Sequence, residues 1–261
     1  MDPIAMSLLL RGALCLSLAL PLSALAFESV ESDSINPPEA GASGNIRAAI
    51  DGRSGNTKRS DYTVSGRTDY RSRDTDMFVL VEHSRAKDRT SNEIEDNTWV
   101  HAHYRDEFKR GLAAEAFVDG LQDDFRLLDS RVQLGLGARF TLDYEPDNRA
   151  VYAGVGLLHE WTDQNNMTDH YWRANTYFAY KRQLNEQVRG LFNISYQPNL
   201  EKAKDYLVNA ELAAIVKLAT HLDLKIGVQH QYDGDVPRSP LTGPLIKSYD
   251  TKYVTALTLK F

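Results

Sequence analysis

The chain has 261 residues, a formal net charge of −6 and a mean hydropathy of −0.43. This mild acidity argues against a nucleic-acid partner, because such proteins usually present a concentrated basic surface. Beyond the N-terminal segment, no stretch reaches the roughly eighteen apolar residues of a membrane-spanning helix. The composition still permits a membrane β-barrel, in which only alternate residues of each strand face lipid.

The N-terminus has the features of a secretory signal peptide. Arg11 supplies the positive charge, residues 12–22 form a short apolar core, and Ala24-Leu25-Ala26 fits the small-x-small cleavage rule. The apolar core is shorter than the ~20 residues that span a bilayer. We therefore predict a signal peptide over residues 1–26 and export through the inner membrane.

The segment that follows differs from the rest of the chain. Residues 27–43 are acidic, include Pro37-Pro38 and show no periodicity, which predicts a periplasmic linker. From residue 44 to residue 261, apolar and polar residues alternate with a period of two. An amphipathic helix repeats every 3.6 residues and cannot give this pattern.

The alternation is clearest over residues 128–143. One face carries Leu128, Ser130, Val132, Leu134, Leu136, Ala138, Phe140 and Leu142, and the other carries Asp129, Arg131, Gln133, Gly135, Gly137, Arg139, Thr141 and Asp143. The pattern predicts twelve strands at about 44–53, 58–72, 76–87, 93–105, 110–121, 127–143, 150–162, 170–182, 187–197, 203–218, 221–233 and 248–261. An even count returns both ends of the barrel to the periplasm, with short inner turns and longer outer loops such as 163–169 and 234–247.

Several features favour a membrane barrel over a soluble one, whose strands also alternate. The predicted strands are longer than the five or so residues usual in soluble proteins. The polar face is rich in Arg, Asp and Gly, as a crowded lumen would be. Trp99, Trp161 and Trp172 fall near strand ends, where aromatic girdles lie.

The last strand carries a further signal. Tyr253, Leu257, Leu259 and the terminal Phe261 share one face. This arrangement resembles the C-terminal signal that the outer-membrane assembly machinery recognises. We expect the barrel-assembly machinery, periplasmic chaperones and outer-membrane lipid as partners, and the Gram-negative outer membrane as the location. The sequence leaves the oligomeric state open.

The polar face supplies the candidate functional residues. Both charge signs are interleaved there, which suits either a narrow pore or internal salt bridges that fill the lumen. The predicted pore-lining residues are Arg67, Asp69, His101, His103, Arg105, Arg131, Arg139, Arg173 and Lys225.

Catalytic and metal chemistry have weaker support. His101 and His103 could present two imidazoles to one metal, but Arg105 on the same face would oppose a cation. His83 and Ser84 are adjacent, so on a strand they point to opposite faces and cannot act as base and nucleophile. We therefore predict no catalytic residues, no metal and no cofactor.

The order of several motifs is similar to that of a known family. The turn Ser54-Gly55-Asn56-Thr57 is followed by Phe125-Arg126-Leu127-Leu128-Asp129-Ser130-Arg131, and Gly135-Leu136-Gly137 leads into Arg139-Phe140. Over about residues 44–261 this resembles the salt-induced outer-membrane protein family (YdiY-like), whose domain has no known function. The resemblance implies a barrel and a link to salt or osmotic stress, and it supplies no catalytic residues.

Three functions remain open from the sequence. The first is a non-enzymatic pore or channel for small hydrophilic solutes or ions. The second is a structural or surface-interaction barrel with a blocked lumen. An outer-membrane lipid hydrolase is the third and has no nucleophile–base pair to support it.

Overall fold

The computed structural model describes residues 33–36, 39–53, 59–87, 93–124, 128–164, 167–234 and 248–261. The predicted signal peptide lies outside them. The described part of the chain contains no helix long and apolar enough to cross a membrane. Its strands are β1 (Gly41–Arg53), β2 (Arg59–Arg71), β3 (Thr75–Lys87), β4 (Glu93–Lys109), β5 (Leu112–Asp123), β6 (Leu128–Glu145), β7 (Arg149–Gln164), β8 (Met167–Gln183), β9 (Val188–Pro198), β10 (Tyr206–Ala219), β11 (Leu222–Asp233) and β12 (Tyr249–Lys260).

The twelve strands form a closed antiparallel barrel. Each strand pairs with its neighbours in the chain, and β12 returns to pair with β1. Asn45 lies opposite Lys260, and Ala49 lies opposite Ala256. Closure removes the edge strands, so that the backbone hydrogen bonds of the sheet are satisfied within it. The predicted antiparallel barrel of about twelve strands is therefore confirmed.

The two ends of the barrel differ in their connections. Turns at 72–74, 110–111, 146–148, 184–187 and 220–221 lie at the end that also carries Gly41 and Lys260, which we call the short-turn end. The opposite end, called the loop end, carries the 199–205 connection, the end of β11 at Asp233 and the start of β12 at Tyr249. The predicted loop at 163–169 is wrong in length, because β7 and β8 stay paired as far as Gln164 and Met167.

Alternation along β6 separates the barrel interior from its outer surface. Leu134 and Leu136 are 52% and 66% exposed, whereas Arg131 and Arg139 are buried. Polar side chains therefore point inward and apolar ones outward. Leu128 is an exception to the predicted facing, because its side chain is buried. A register shift between Leu128 and Ser130 reverses the direction of the side chain at this end of the strand.

The outward aromatic side chains form two groups, one near each end. The group near the loop end includes Tyr62, Trp161, Trp172, Tyr196 and Tyr249, and the group near the short-turn end includes Tyr70, Tyr104, Phe108, Tyr144 and Phe261. Exposed aliphatic residues such as Val79, Val81, Leu136, Leu157, Leu212 and Ile226 lie between them. Such a band between aromatic girdles is typical of a barrel in lipid. Trp99 was expected in a girdle, but it is buried and donates a hydrogen bond to Asp119 inside the barrel.

Candidate functional site

The barrel interior, or lumen, contains the nine residues predicted from the polar face. His101, His103, Arg131, Arg139, Arg173 and Lys225 are buried. Arg67, Asp69 and Arg105 have between 10% and 17% of their side chains exposed. All nine point inward because each lies at the polar position of its strand. Their role in conduction stays a prediction.

An ion-pair network lies in the lumen near the loop end. Arg173 on β8 contacts Glu160 at 2.8 Å and Asp205 at 2.9 Å. Arg131 on β6 contacts Asp233 on β11 at 2.9 Å. These two strands lie almost opposite each other in the ring, so the Arg131–Asp233 pair crosses the lumen. Because both partners are buried, solvent and salt screen the pair little.

The two neighbouring histidines of the lumen, His101 and His103, have protein partners. His101 Nδ1 lies 2.8 Å from Asp119 Oδ1, and His103 Nε2 lies 3.4 Å from Glu115 Oε1. The imidazole of His103 also stacks on Phe78 at a centroid separation of 5.2 Å. No group of three His, Cys, Asp or Glu side chains that could hold a metal ion occurs within the described ranges.

A second contact between strands that are not neighbours is centred on Glu115. Its carboxylate accepts hydrogen bonds from Arg105 Nε at 2.8 Å and from the hydroxyl of Tyr177 at 2.6 Å. Glu115 is on β5 and Tyr177 is on β8, so this contact joins strands that are not neighbours. Arg139 lies 3.9 Å from the same carboxylate. The lumen has two parts, and Glu115 and Tyr177 belong to the lining of the part toward the loop end.

The part toward the loop end is a cavity of about 150 Å³. Its lining combines apolar side chains such as Phe117, Leu121 and Leu207 with side-chain amides from Gln133, Asn175, Asn193, Gln197, Asn209, Gln229 and Gln231. Several of their NH₂ groups donate to protein oxygens, as Gln229 does to Glu211 at 3.1 Å. The buried side-chain oxygens of Asn209 and Gln231 have no hydrogen-bond partner among the described residues. The cavity thus offers neutral acceptors to a ligand with O–H or N–H groups.

The part toward the short-turn end is a vestibule of about 750 Å³. Its cationic lining residues are Arg67, Arg71, Arg105, Arg110, Arg139 and Lys181, and its acidic ones include Asp69, Asp74, Asp76 and Glu107. Arg67 and Asp69 form a salt bridge at 2.8 Å, and the guanidinium of Arg67 lies 3.6 Å from the ring centroid of Phe78. The arginines are therefore held against the wall by acidic and aromatic neighbours.

A short piece of chain before β1 lies in the lumen. Residues 33–36, which we call the lumenal segment, contact residues of β1, β8, β9 and β11. Ile35 is buried against Ala150, Tyr152 and Ala179. These residues belong to the range predicted as a linker over residues 27–43, and β1 begins at Gly41, before the predicted start at residue 44.

The predicted assembly signal lies on the outer face of β12. Tyr253, Leu257, Leu259 and Phe261 are between 48% and 67% exposed. Phe261 and Gly44 exchange backbone hydrogen bonds of 2.9 and 3.0 Å, which fasten the end of the chain to β1. A Cβ at Gly44 would approach the Phe261 ring to 2.9 Å, so a side chain at residue 44 would disturb this closure. Recognition by the assembly machinery stays a prediction.

Sequence comparison places the chain in a family. Residues 46–261 match the profile of a family described as a protein of unknown function, DUF481. The chain belongs to this family. A comparison with curated proteins finds no match. The match covers nearly all of the barrel and assigns no activity.

Solved structures similar to this DUF481 barrel are outer-membrane proteins. One is the COG4313 outer membrane channel from Pseudomonas putida F1, with a TM-score of 0.52 and 11% identity over 89% of this chain and 100% of that chain. Another is the NanC porin, with a TM-score of 0.51 and 8% identity over 84% of this chain and 100% of that chain. At such identities the likeness shows the fold.

Sequence reasoning missed part of the DUF481 lumen. The lumenal segment was missed because it has no periodicity, and its only signal was the acidic Asp33 before a barrel rich in inward arginines. Tyr177 was missed because its contact with Glu115 joins β8 to β5. Periodicity shows that a residue faces inward but does not show what it meets there.

Proposed function

We propose that this DUF481 barrel is a narrow channel for small hydrophilic solutes or ions in the Gram-negative outer membrane. The observation that carries the proposal is the polar interior, where the amide-lined cavity and the vestibule follow one another inside an outer wall that is aliphatic between aromatic groups. A wall of this kind is stable in hydrocarbon, and an interior of this kind can replace part of a solute's hydration shell.

The size and charge of the lumen define the class of solute. A twelve-stranded barrel lies between eight-stranded barrels, which side chains fill, and the open sixteen-stranded porins. Acidic and basic groups are interleaved in the vestibule, so no single sign of charge dominates it. We expect a low conductance, weak selectivity between cations and anions, and exclusion of oligosaccharides.

A barrel with a blocked lumen is the second candidate. The Arg131–Asp233 pair, which crosses the interior, favours it, and the Glu115–Tyr177 contact narrows the interior further. In that case the barrel would serve a structural or surface-interaction role. The channel requires that at least the Glu115–Tyr177 contact opens while the barrel wall stays intact.

Single-channel recording of refolded protein in planar bilayers distinguishes the two candidates. The test variant is Tyr177→Phe, which removes the hydroxyl that binds Glu115 and keeps the ring. Tyr196→Phe is the matched control, because Tyr196 is on the outer face. The channel predicts current steps in the wild type and a higher open probability in Tyr177→Phe alone. Absence of current in all three proteins would support the blocked barrel.

The proposed location implies a route of biogenesis. Residues 1–26 direct export through the inner membrane, and periplasmic chaperones deliver the chain to the barrel-assembly machinery. That machinery would recognise Tyr253, Leu257, Leu259 and Phe261 on the strand that closes the barrel. Their outward position on β12 supports this, because they are accessible before β12 pairs with β1.

The resemblance to salt-induced proteins suggests a physiological setting. A narrow, weakly selective channel would let small solutes cross the outer membrane when external osmolarity changes. We expect the amount of the protein in the envelope to rise in high-salt medium, which quantitative immunoblotting would detect. An unchanged amount would separate the channel from any role in salt stress.

A further inference from the structure

The lumenal segment, residues 33–36, is held by cationic side chains from strands around the barrel. The carboxylate of Asp33 accepts a hydrogen bond from Arg47 Nη2 at 2.5 Å and lies 3.2 Å from Lys225 Nζ. Arg47 is on β1 and Lys225 is on β11, so Asp33 joins strands on either side of β12. Charge-assisted contacts of this kind are about twice as strong as neutral hydrogen bonds.

Two further cations bind the main chain of the segment. Arg189 on β9 donates to the carbonyl oxygen of Asp33. Lys181 on β8 donates to the carbonyl oxygen of Ser34 at 3.2 Å. Four cationic side chains from four strands therefore converge on three acceptor groups of adjacent residues. The lumen recognises the segment as an anion with additional acceptor oxygens.

Other contacts anchor the segment at the short-turn end. Ile35 is 4% exposed and packs against Tyr152 and its neighbours. The side-chain oxygen of Asn36 accepts a hydrogen bond from the backbone N–H of Asp147 at 2.9 Å. Ordering four residues costs backbone entropy, which offsets much of what these contacts supply. A segment held in this balance can be displaced by a competing ligand.

We propose that Arg47, Lys181, Arg189 and Lys225 form an anion-binding site that the chain's own Asp33 occupies, and that small dicarboxylates compete with the segment for it. Glu211 also contacts Lys225 at 2.7 Å, so departure of Asp33 leaves that lysine paired and raises the net charge of the site by one. A dicarboxylate reproduces the Asp33 carboxylate and places a second charged acceptor where the main-chain carbonyls lie.

Displacement would also change the lumen. Ser34, Ile35 and Asn36 line the vestibule, so their departure widens it, and the departure of Asp33 removes one negative charge from the lumen. Any effect on transport rests on the proposed channel function. The competition between the segment and the anion does not, because it concerns binding alone.

Cysteine accessibility tests the proposal without measuring current. The reporter protein is the full chain with two substitutions. Cys15→Ser removes its only cysteine, and Ile35→Cys places a new one in the lumenal segment. The protein is refolded in detergent micelles. The rate of reaction with a charged maleimide reports how often the segment leaves its site. Ser34→Cys provides a second reporter, and heat-modifiable gel mobility verifies that each variant is folded.

The charge of Asp33 should control this rate. Asp33→Asn should speed labelling at least about tenfold, the equivalent of about 1.4 kcal/mol. Glu39→Gln is the matched control, because Glu39 is exposed. This substitution removes the same charge a few residues along the chain. Equal labelling rates in the Ile35→Cys reporter protein with and without Asp33→Asn or Glu39→Gln would overturn the assignment of Asp33 as the occupant.

The ligand class is tested with succinate in the same assay. Succinate should speed labelling of the Ile35→Cys reporter protein that retains Asp33, and this effect should saturate. Chloride at the same ionic strength should not speed it. An identical effect of the two anions would overturn the anion site. If labelling behaves as expected and the barrel carries no current, the channel function fails and the site stands. If current flows and labelling does not respond to succinate, the anion site fails and the channel function stands.

Discussion

Replacement of Leu136 by Arg tests the assignment of the outer face to lipid. Leu136 is 66% exposed on β6 and lies opposite Leu157 on β7. Phe140 is four residues from Leu136 toward the short-turn end, and Trp161 is four residues from Leu157 toward the loop end. Leu136 therefore lies midway between the aromatic groups, where an arginine facing lipid costs about 2–4 kcal/mol.

The matched control is Leu142→Arg on the same strand and face. Leu142 is 60% exposed, and it lies six residues closer to the short-turn end. At about 3.4 Å per residue and a tilt of about 40°, this is ~15 Å in depth, more than half of an apolar band of ~25 Å. An arginine at this interfacial depth should cost only about 0–1 kcal/mol.

The two variants are compared by urea unfolding of protein refolded into lipid vesicles. The free energy of unfolding should fall by about 2–3 kcal/mol more in Leu136→Arg than in Leu142→Arg. Equal losses would show that cost does not depend on depth and would refute the lipid-facing assignment. No loss at Leu136 would place this face in water.

Three further results are expected. The folded protein should migrate differently in SDS gels before and after boiling, because a closed barrel has no strand edge from which to unravel; identical mobility would count against closure. Phe261→Lys should leave the chain exported but accumulated in the periplasm in protease-sensitive form, and normal outer-membrane levels would remove the assembly role of the C-terminus. Arg173→Met should destabilise the barrel by about 3–5 kcal/mol, because it leaves two buried carboxylates without this partner. In the same unfolding assay, Arg149→Met, which removes a half-exposed ion pair, should cost about 1 kcal/mol or less.

The barrel could be predicted from the sequence because its main constraint is local. A lipid-facing strand must alternate, so each strand carries its own evidence, and all twelve were located with errors of a few residues. Along most of each strand the predicted facing is correct. It failed at Leu128, where a register shift reverses the face, and at Trp99, whose indole N–H has a buried carboxylate partner.

The arrangement inside the lumen depends on contacts that the sequence does not encode locally. Arg131 and Asp233 are 102 residues apart, and they meet because the closure of the barrel brings β6 and β11 face to face. The lumenal segment lacks any period and is placed by side chains of β1, β7, β8, β9 and β11. Interleaved charges therefore predicted a charged interior without predicting which pairs cross it.

Solute flux into vesicles tests the proposed channel most directly. Vesicles containing the refolded barrel are diluted into isotonic solutions of glycerol, glucose or a trisaccharide, and swelling is followed by light scattering. A channel of this kind predicts rapid swelling in glycerol, slower swelling in glucose and none in the trisaccharide, with no swelling in protein-free vesicles beyond the lipid background. Swelling in glycerol no faster than in protein-free vesicles would contradict it.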